Sequence, residues 1–234
     1  MPSRVITRSR SQWLQRRPRL YRGAVRAGDA VREDAFGSLQ ADAVTCVPPF
    51  GERNWGYEDL ASDIRWLYGL PSRGEPELPW VQHGLYHLKP GRHMAVVMPP
   101  AAADRRSGRR IRAQLLRTGT LRAVVSLPAG IAPGALASPH LWVLRRPSPG
   151  DPIPRHVLML DLSDMPEVQL RDAVLERWRT FTASSDMELE GAVPVNRPLG
   201  RRGRSDARPP NWCSSIQRGR ELLDPPRRSD RFGQ

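Results

Sequence analysis

Cysteine and long apolar runs are nearly absent from this chain. Cys46 and Cys213 are the only cysteines among 234 residues. Two thiols give no disulfide framework, so a cytoplasmic location is the default expectation. No apolar stretch approaches the roughly 20 residues of a membrane-spanning helix, so we expect no membrane association. The N-terminus also lacks the apolar segment of a secretory signal, and its Arg-rich, acid-poor composition leaves a transit peptide as the alternative.

Acidic side chains are missing from the N-terminal end, and this determines where the net charge of +13 resides. Residues 1–26 carry eight Arg and no acid, and residues 197–234 carry ten Arg against four acids. The residues between them, 27–196, hold 19 basic and 20 acidic side chains, a net charge of −1. The basic ends can attract nucleic-acid phosphates without sequence preference, although solvated tails without a role are equally consistent with this pattern.

The two ends also lack hydrophobic periodicity. Residues 1–26 are predicted to be a disordered basic arm and residues 196–234 a disordered Arg/Pro/Gly-rich tail, because neither has enough apolar residues to bury. The part between them is predicted to contain an α/β domain over residues 27–146 and a strand–helix extension over residues 147–195.

Short apolar runs alternate with amphipathic stretches in the predicted α/β domain. Residues 39–46 predict a buried strand that enters the rigid turn Pro48-Pro49-Phe50-Gly51. A helix is predicted from Pro76 to Leu88, because apolar residues recur there at helical spacing. Further strands are predicted at 93–98, 121–127, 140–145 and 156–162, and further helices at 107–118 and from Pro166 onwards. This alternation favours a parallel or mixed sheet, and open α/β sheets bind ligands at the carboxyl ends of their strands.

Three weaker patterns each have a structural and a functional interpretation. His83 and His87 have the spacing of a metal-binding pair on a helix, but residue 84 is Gly and no third ligand is evident, so we predict no metal site. Residues 105–122 carry seven Arg, which either contact DNA phosphates or form a solvated helix face. The aromatic residues between Trp55 and Tyr68 either line a base pocket or pack over the edge of the sheet.

Several motifs follow one another in a recognisable order. They are Gly28-Asp29-Ala30, Pro48-Pro49-Phe50-Gly51, Glu77–Arg92, Met94–Pro99, Arg109–Leu116 and Leu121–Pro128. In this order and spacing they resemble the N6-adenine DNA methyltransferases, in particular the methylation subunits of type I restriction-modification systems. The first resembles the third motif of that family, and the second resembles its Asn-Pro-Pro-Phe signature. The resemblance covers roughly residues 28–146.

The resemblance implies a partial Rossmann-like class I methyltransferase sheet with flanking helices, and S-adenosylmethionine as cofactor without a metal. Asp29 would bind the adenine amine of that cofactor. Val47, Pro48, Pro49 and Phe50 would form the catalytic turn, in which oxygen atoms accept the hydrogens of the target amine and the aromatic ring stacks on the flipped-out adenine. DNA and a restriction-modification specificity subunit would be the partners.

Two features depart from the family pattern. Val47 stands where the family has Asn, so this side chain offers no hydrogen-bond acceptor. The family's Gly-rich cofactor loop, expected upstream of Gly28, has no counterpart in residues 1–27. We therefore expect a truncated enzyme of reduced or no activity, with another chain supplying the cofactor half and with a frameshift or misplaced start behind the Arg-rich ends. The alternative is a non-catalytic DNA-associated or partner-binding domain.

Overall fold

The computed structural model describes residues 6–8, 25–131, 137–183 and 192–195, and for residues 6–8 and 25 the backbone alone. Within these ranges, two short strands, β1 (Ile6–Arg8) and β2 (Val25–Ala27), pair in parallel. The main sheet contains β3 (Ala41–Cys46), β4 (Leu88–Met98), β5 (Leu121–Ser126), β6 (His140–Arg145), β7 (His156–Asp161) and β8 (Ala192–Pro194). The α-helices are α1 (Glu77–His87), α2 (Ala101–Asp104), α3 (Arg109–Arg117) and α4 (Glu167–Ala183).

The main sheet is mixed, with the order β3-β4-β6-β5-β7-β8. β3 is parallel to β4 and β5 is parallel to β7, whereas β6 runs antiparallel between β4 and β5. The register pairs His140 of β6 with both Met98 and Ser126, and Ser126 with Asp161. The carboxyl ends of β4, β5 and β7 therefore meet at one edge, and β3 ends at the same edge beside Val96 of β4. This architecture confirms the predicted α/β class.

Helix α1 forms the crossover between the parallel strands β3 and β4. Its apolar side chains Leu78, Val81 and Leu85 are fully buried and pack in the largest core cluster with residues of β4, β5 and β6. A second cluster packs the other face of the sheet against α4, where Leu170 and Phe181 are buried. Because α1 runs opposite to the two strands that it joins, its N-terminus lies at the edge where β3 ends.

The predicted helices and strands agree with the structure to within a few residues, with four differences. The predicted helix at 107–118 is α3, and a 3-10 turn at 106–108 precedes it. The strand predicted at 93–98 begins earlier, directly after α1, at Leu88. α2 and β8 were not predicted, because elements of three or four residues are too short to show a period. The sequence also predicts one helical turn near Leu60–Leu67, where the structure has a series of turns.

The terminal predictions are tested only in part. β1 and β2 occupy residues 6–8 and 25–27, where the sequence predicted no regular structure. The other residues of the predicted arm up to residue 24, and the whole predicted tail at 196–234, lie outside the described residues. No helix in the described part of the chain is both long enough and apolar enough to span a membrane.

Candidate functional site

The Pro-Pro-Phe-Gly turn follows directly from the carboxyl end of β3. Pro48 is buried, whereas Pro49 and Phe50 are half-buried. Val47 is 56% exposed, so its isopropyl group faces solvent at the position where the resemblance implies an Asn side chain. The two prolines fix their own φ angles, which leaves the turn little freedom to reorient. An aromatic ring is thus presented at the sheet edge beside a side chain that cannot accept a hydrogen bond.

A buried carboxylate forms a hydrogen bond to the backbone of this turn. Glu77, the first residue of α1, is fully buried, and its Oε1 accepts a hydrogen bond of 3.0 Å from the backbone N–H of Gly51. Its Oε2 accepts a hydrogen bond of 2.6 Å from Nη1 of Arg105, which precedes α3. As a residue in the first turn of the helix predicted from Pro76 to Leu88, Glu77 has an ordinary local interpretation as an acid at the positive end of a helix. No local pattern indicates that its partners lie 26 and 28 residues away.

A second buried acid lies in the same cluster. Glu75 is fully buried, and its Oε1 accepts a hydrogen bond of 2.5 Å from the Ser107 hydroxyl, while Oε2 lies 3.6 Å from Arg105 Nη1. Burial raises the pKa of Glu75, although Ser107 and the nearby guanidinium groups oppose that shift. The buried guanidinium of Arg112 donates to the backbone oxygens of Ala102 and Arg105. These charged side chains connect the residues around α2 and α3 to Gly51 of the Pro-Pro-Phe-Gly turn.

Asp29, the predicted cofactor-binding residue, lies in a turn just after β2. Its Oδ1 accepts hydrogen bonds from the backbone N–H groups of Val31 and Arg32, and its Oδ2 lies 3.5 Å from the Arg32 guanidinium. The Asp29 side chain is 36% exposed, which leaves room for a hydrogen bond from an adenine amine. Asp29 therefore fits one contact to S-adenosylmethionine. Among the described residues we identify no group that would hold the ribose or the methionine part.

Asp29 lies close to the segment that follows the Pro-Pro-Phe-Gly turn. Burial raises the pKa of Glu52, and the charge of Asp29 raises it further. Arg32 also joins the two segments, since its Nη2 donates to the backbone oxygen of Asn54 at 2.8 Å and to its side-chain oxygen at 2.9 Å. The two motifs identified in the sequence, 19 residues apart at Asp29 and Pro48, thus belong to one surface region.

His83 and His87 are buried together with a third potential ligand that the sequence did not reveal. Asp34 lies with them, and one ligand atom from each residue lies within 4.8 Å of the others. Nε2 of His87 lies 2.8 Å from Asp34 Oδ2, and its Nδ1 lies 3.0 Å from the backbone oxygen of Leu39. Burial, together with the charges of His87 and Arg65, lowers the pKa of His83 to about 4.

A buried guanidinium opposes metal binding in this cluster. Nη1 of Arg65 lies 2.8 Å from His83 Nδ1, and Nη2 donates to the backbone oxygen of Val31. A divalent metal ion bound by these histidines would lie close to the Arg65 guanidinium, which is always positively charged, and the two cations would repel each other. We interpret the cluster as a hydrogen-bonded link between α1 and the segment at 31–39. The prediction that the chain binds no metal remains a prediction.

The aromatic residues between Trp55 and Tyr68 and the arginines of residues 105–122 each include both buried and more exposed members. Trp55 and Trp66 are buried with Trp80 in a third core cluster, as the packing interpretation predicts, whereas Tyr57 is half-buried beside a surface cavity. Among the arginines of residues 105–122, Arg105 and Arg112 bind protein groups. The guanidinium of Arg122 lies over the Phe181 ring. The exposed members are Arg106, Arg109, Arg110 and Arg117.

The only cysteine among the described residues lies at the end of β3, next to Val47. Burial raises the pKa of the Cys46 thiol to about 12, so the group stays protonated at neutral pH. Cys46 partly packs against the core rather than offering a nucleophile at the sheet edge.

Comparisons with known proteins agree with this geometry. The model of the N-6 DNA Methylase family matches residues 20–178. The HindI type I restriction enzyme methylase subunit of Haemophilus influenzae is 28% identical over 107 residues, which cover 45% of this chain and 24% of that protein. The MjaIX methylase subunit of Methanocaldococcus jannaschii is 25% identical over 135 residues, which cover 54% of this chain and 24% of that protein. The chain thus spans about a quarter of the length of these relatives.

Solved structures support the fold. The type I restriction-modification methyltransferase subunit from Streptococcus thermophilus superposes with a TM-score of 0.60 at 22% identity, covering 73% of this chain and 38% of that one. A class I S-adenosylmethionine-dependent methyltransferase from Listeria monocytogenes gives a TM-score of 0.53 at 15% identity, over 68% of this chain and 48% of that one. With the family model matching well over half of the sequence, the chain belongs to the N-6 DNA methylase family.

Proposed function

We propose that this chain is an S-adenosylmethionine-dependent DNA adenine-N6 methyltransferase-like domain that engages DNA in the cytoplasm and transfers methyl groups slowly or not at all by itself. The observation that carries the proposal is the turn Pro48–Gly51, held at the carboxyl end of β3 by Glu77, with exposed Val47 at the acceptor position. The ring of Phe50 remains available to stack on a flipped-out base.

The chemical consequence of Val47 follows from what the target amine requires. The exocyclic nitrogen of adenine is a poor nucleophile, because its lone pair is delocalised into the ring, and acceptors for its hydrogens build up amine character. Removing one hydrogen-bond partner of a reacting group costs about 10²–10³ in rate, by analogy with oxyanion-hole variants. The backbone oxygens of the turn are retained, so binding of the base is less affected than its reaction.

A second polypeptide would complete the cofactor site. Within the described residues, β3 is hydrogen-bonded only to β4, and its side chains at Ala43 and Thr45 are exposed. A partner that carries a Gly-rich loop would add its strand along this free edge. The relatives named above are subunits of restriction-modification enzymes, which supports assembly with other chains, a specificity subunit included.

The alternative is a non-catalytic DNA-associated or partner-binding domain, and the apolar side chain at position 47 favours it. Calorimetric titration with S-adenosylmethionine discriminates between the two. Heat of binding at high-micromolar ligand supports the methyltransferase-like enzyme, and the absence of any heat leaves the non-catalytic domain.

The Val47→Asn variant tests how much of the deficit lies in the turn. We expect neither the wild-type chain nor this variant, alone, to transfer a labelled methyl group to adenine in DNA, because residues 1–27 contain no Gly-rich cofactor loop. A type I methylase that retains both elements serves as the positive control. Formation of N6-methyladenine by the wild-type chain or by the variant alone, at the rate of the positive control, would overturn the proposal.

A further inference from the structure

We propose that a surface cavity next to the catalytic turn binds the phosphate–sugar backbone of the DNA strand that carries the target adenine. The inference rests on the proposed function and specifies where the strand lies. The cavity has a volume of about 340 Å³, and its lining residues are Arg53, Asn54, Trp55, Tyr57, Glu58 and Arg73.

The position of the cavity suits a strand whose base has been flipped onto Phe50. Arg53 follows Phe50 by three residues, and three residues of chain span at most about 11 Å. The two phosphates that flank a nucleotide are joined to its own sugar, so they remain close to the base when the nucleotide is flipped out of the helix. The phosphates on either side of a base stacked on Phe50 therefore lie within reach of the cavity.

Three contacts hold the walls of the cavity in place. Trp55 is 2% exposed, and its indole Nε1 donates to the backbone oxygen of Ser72 at 3.3 Å. Its ring packs edge to face against Tyr57 with 5.8 Å between the ring centroids. Arg32 binds both oxygens of Asn54 and so connects the opposite wall to the turn that contains Asp29. A preformed wall lowers the entropy cost of binding a flexible strand.

The charges of the cavity favour an anion. Arg53 is exposed and has no hydrogen-bond or ion-pair partner among the described residues. The guanidinium of Arg73 lies 5.0 Å from the centroid of the Tyr57 ring and 2.5 Å from the Glu58 carboxylate. Arginines placed beside aromatic rings are typical of surfaces that bind single-stranded nucleic acid. Because a flipped-out nucleotide leaves its strand locally single, this chemistry matches the substrate of the proposed reaction.

The ion pair between Glu58 and Arg73 allows two substitutions that should change DNA affinity in opposite directions. The Glu58 carboxylate competes with a phosphate for Arg73, so Arg73→Ala should weaken DNA binding whereas Glu58→Gln should strengthen it. Both side chains are exposed, at 70% and 56%, so neither change is expected to disturb folding. Arg171 and Asp172 on α4 form an equally exposed ion pair, at 84% and 78% and 3.2 Å apart. Arg171→Ala and Asp172→Asn therefore reproduce the same charge changes away from the cavity.

The measurement is the affinity of the full chain for a short fluorescent single-stranded oligodeoxynucleotide with one adenine, over a series of salt concentrations. We expect Arg53→Ala/Arg73→Ala to weaken binding about tenfold or more and to reduce the salt slope by about 0.7 for each phosphate that is no longer neutralised. Glu58→Gln should tighten binding. The two α4 variants should change affinity far less than their cavity counterparts.

A modified oligonucleotide tests whether the anions that bind the cavity are the phosphates beside the adenine. Neutral methylphosphonates at the two phosphates that flank the adenine should remove most of the difference between the wild-type chain and the double variant, as for two changes at one interaction. If the wild-type chain and the double variant differ in affinity for the modified strand as much as for the unmodified one, the assignment is overturned. The assignment is also overturned if inorganic phosphate alone displaces the oligonucleotide when the total ionic strength is held constant.

The remaining outcomes separate this inference from the proposed function. Equal effects of the cavity and α4 variants would overturn the cavity assignment while DNA binding itself stands. If the wild-type chain fails to bind the oligonucleotide at all, the proposed function is the one that fails, and the cavity assignment fails with it.

Discussion

Val47 and Glu77 act on the same turn in opposite ways. Glu77 accepts the Gly51 N–H and carries a buried negative charge that Arg105 balances, so the turn is positioned as a reactive site requires. The side chain of Val47, which directly precedes the turn, has no polar atom. The turn therefore keeps its anchor but lacks a side-chain acceptor, which supports the proposal of base binding in preference to rapid catalysis.

His83 makes stability depend on pH in a defined window. Its pKa is about 4 in the folded chain and 6.5 ordinarily, so the unfolded chain binds more protons between these values. The free energy of unfolding therefore falls as pH falls from 6.5 to 4. One pKa unit corresponds to about 1.4 kcal/mol, so this residue accounts for a loss of about 3 kcal/mol.

Chemical denaturation of the wild-type chain and of His83→Gln across that window measures the effect. The variant cannot protonate at position 83, so its free energy of unfolding should fall less steeply with acid. His93 and His140, whose pKa values burial also lowers, are present in both proteins and cancel in the difference. The pKa of Asp34 lies below its ordinary value of 3.8, so its own loss comes at still lower pH. Parallel pH profiles for the two proteins would contradict this account.

At the scale of elements, α3 ends where its sequence predicts. Gly119 directly follows the helix predicted at 107–118, where a glycine favours the end of a helix. It has φ +67°, and its N–H donates to the backbone oxygen of Leu116. A side chain is disfavoured here twice, because the left-handed conformation is strained for other residues and because a Cβ would meet the ring of Pro154. Gly130 has a similar φ of +79° and open space around it, so it provides a matched control.

The two glycines predict different costs for the same substitution. Gly130→Ala should lower the free energy of unfolding by about 1 kcal/mol through backbone strain alone. Gly119→Ala should cost about 1–3 kcal/mol more, because the added methyl overpacks against Pro154. The double variant Gly119→Ala/Pro154→Ala should recover part of that excess in urea denaturation. Equal losses for the two single variants would show that Pro154 imposes no constraint.

The elements that the sequence predicted well are those with an internal period or a strong stop signal. β5 contains the apolar run Ala123–Val125, β7 contains the apolar run Val157–Leu160, and α1 has an apolar stripe that begins after Pro76. The antiparallel direction of β6 was left open, since strand direction depends on partners and not on the sequence of the strand. Contacts such as Asp34 with His87, 53 residues apart, leave no local signal for the same reason.

The same limit applies to the site. Pro48, Pro49 and Phe50 were identified from their own motif, and the structure brings them to the sheet edge. Glu77, Arg53 and Arg73 were missed, because each one has an ordinary local interpretation as a helix-terminal acid or a loop charge. Only the folded chain reveals that one of them anchors the turn and that the other two line its neighbouring cavity.

At the scale of the whole molecule, charge and fold are separated along the sequence. Residues 27–196 carry a net charge of −1, and the surplus lies in residues 1–26 and 197–234. The folded domain therefore offers local basic features such as the cavity, whereas we expect long-range attraction to DNA to come from the ends. This division predicts that non-specific and site-directed DNA binding can be altered independently.

Replacing five arginines of the C-terminal end with Gln tests that division. The residues are Arg201, Arg202, Arg204, Arg227 and Arg228. Affinity for duplex DNA at low salt should fall, and the slope of log affinity against log salt should decrease by up to about 0.9 for each phosphate that these arginines neutralise in the wild-type chain. Unfolding without DNA should keep its midpoint, because the sequence predicts no packed core in this segment. The difference between Arg73→Ala and Arg171→Ala should persist in this background. An unchanged salt slope would mean that the folded domain itself carries the non-specific binding, and the charge of the C-terminal end would then have no part in it.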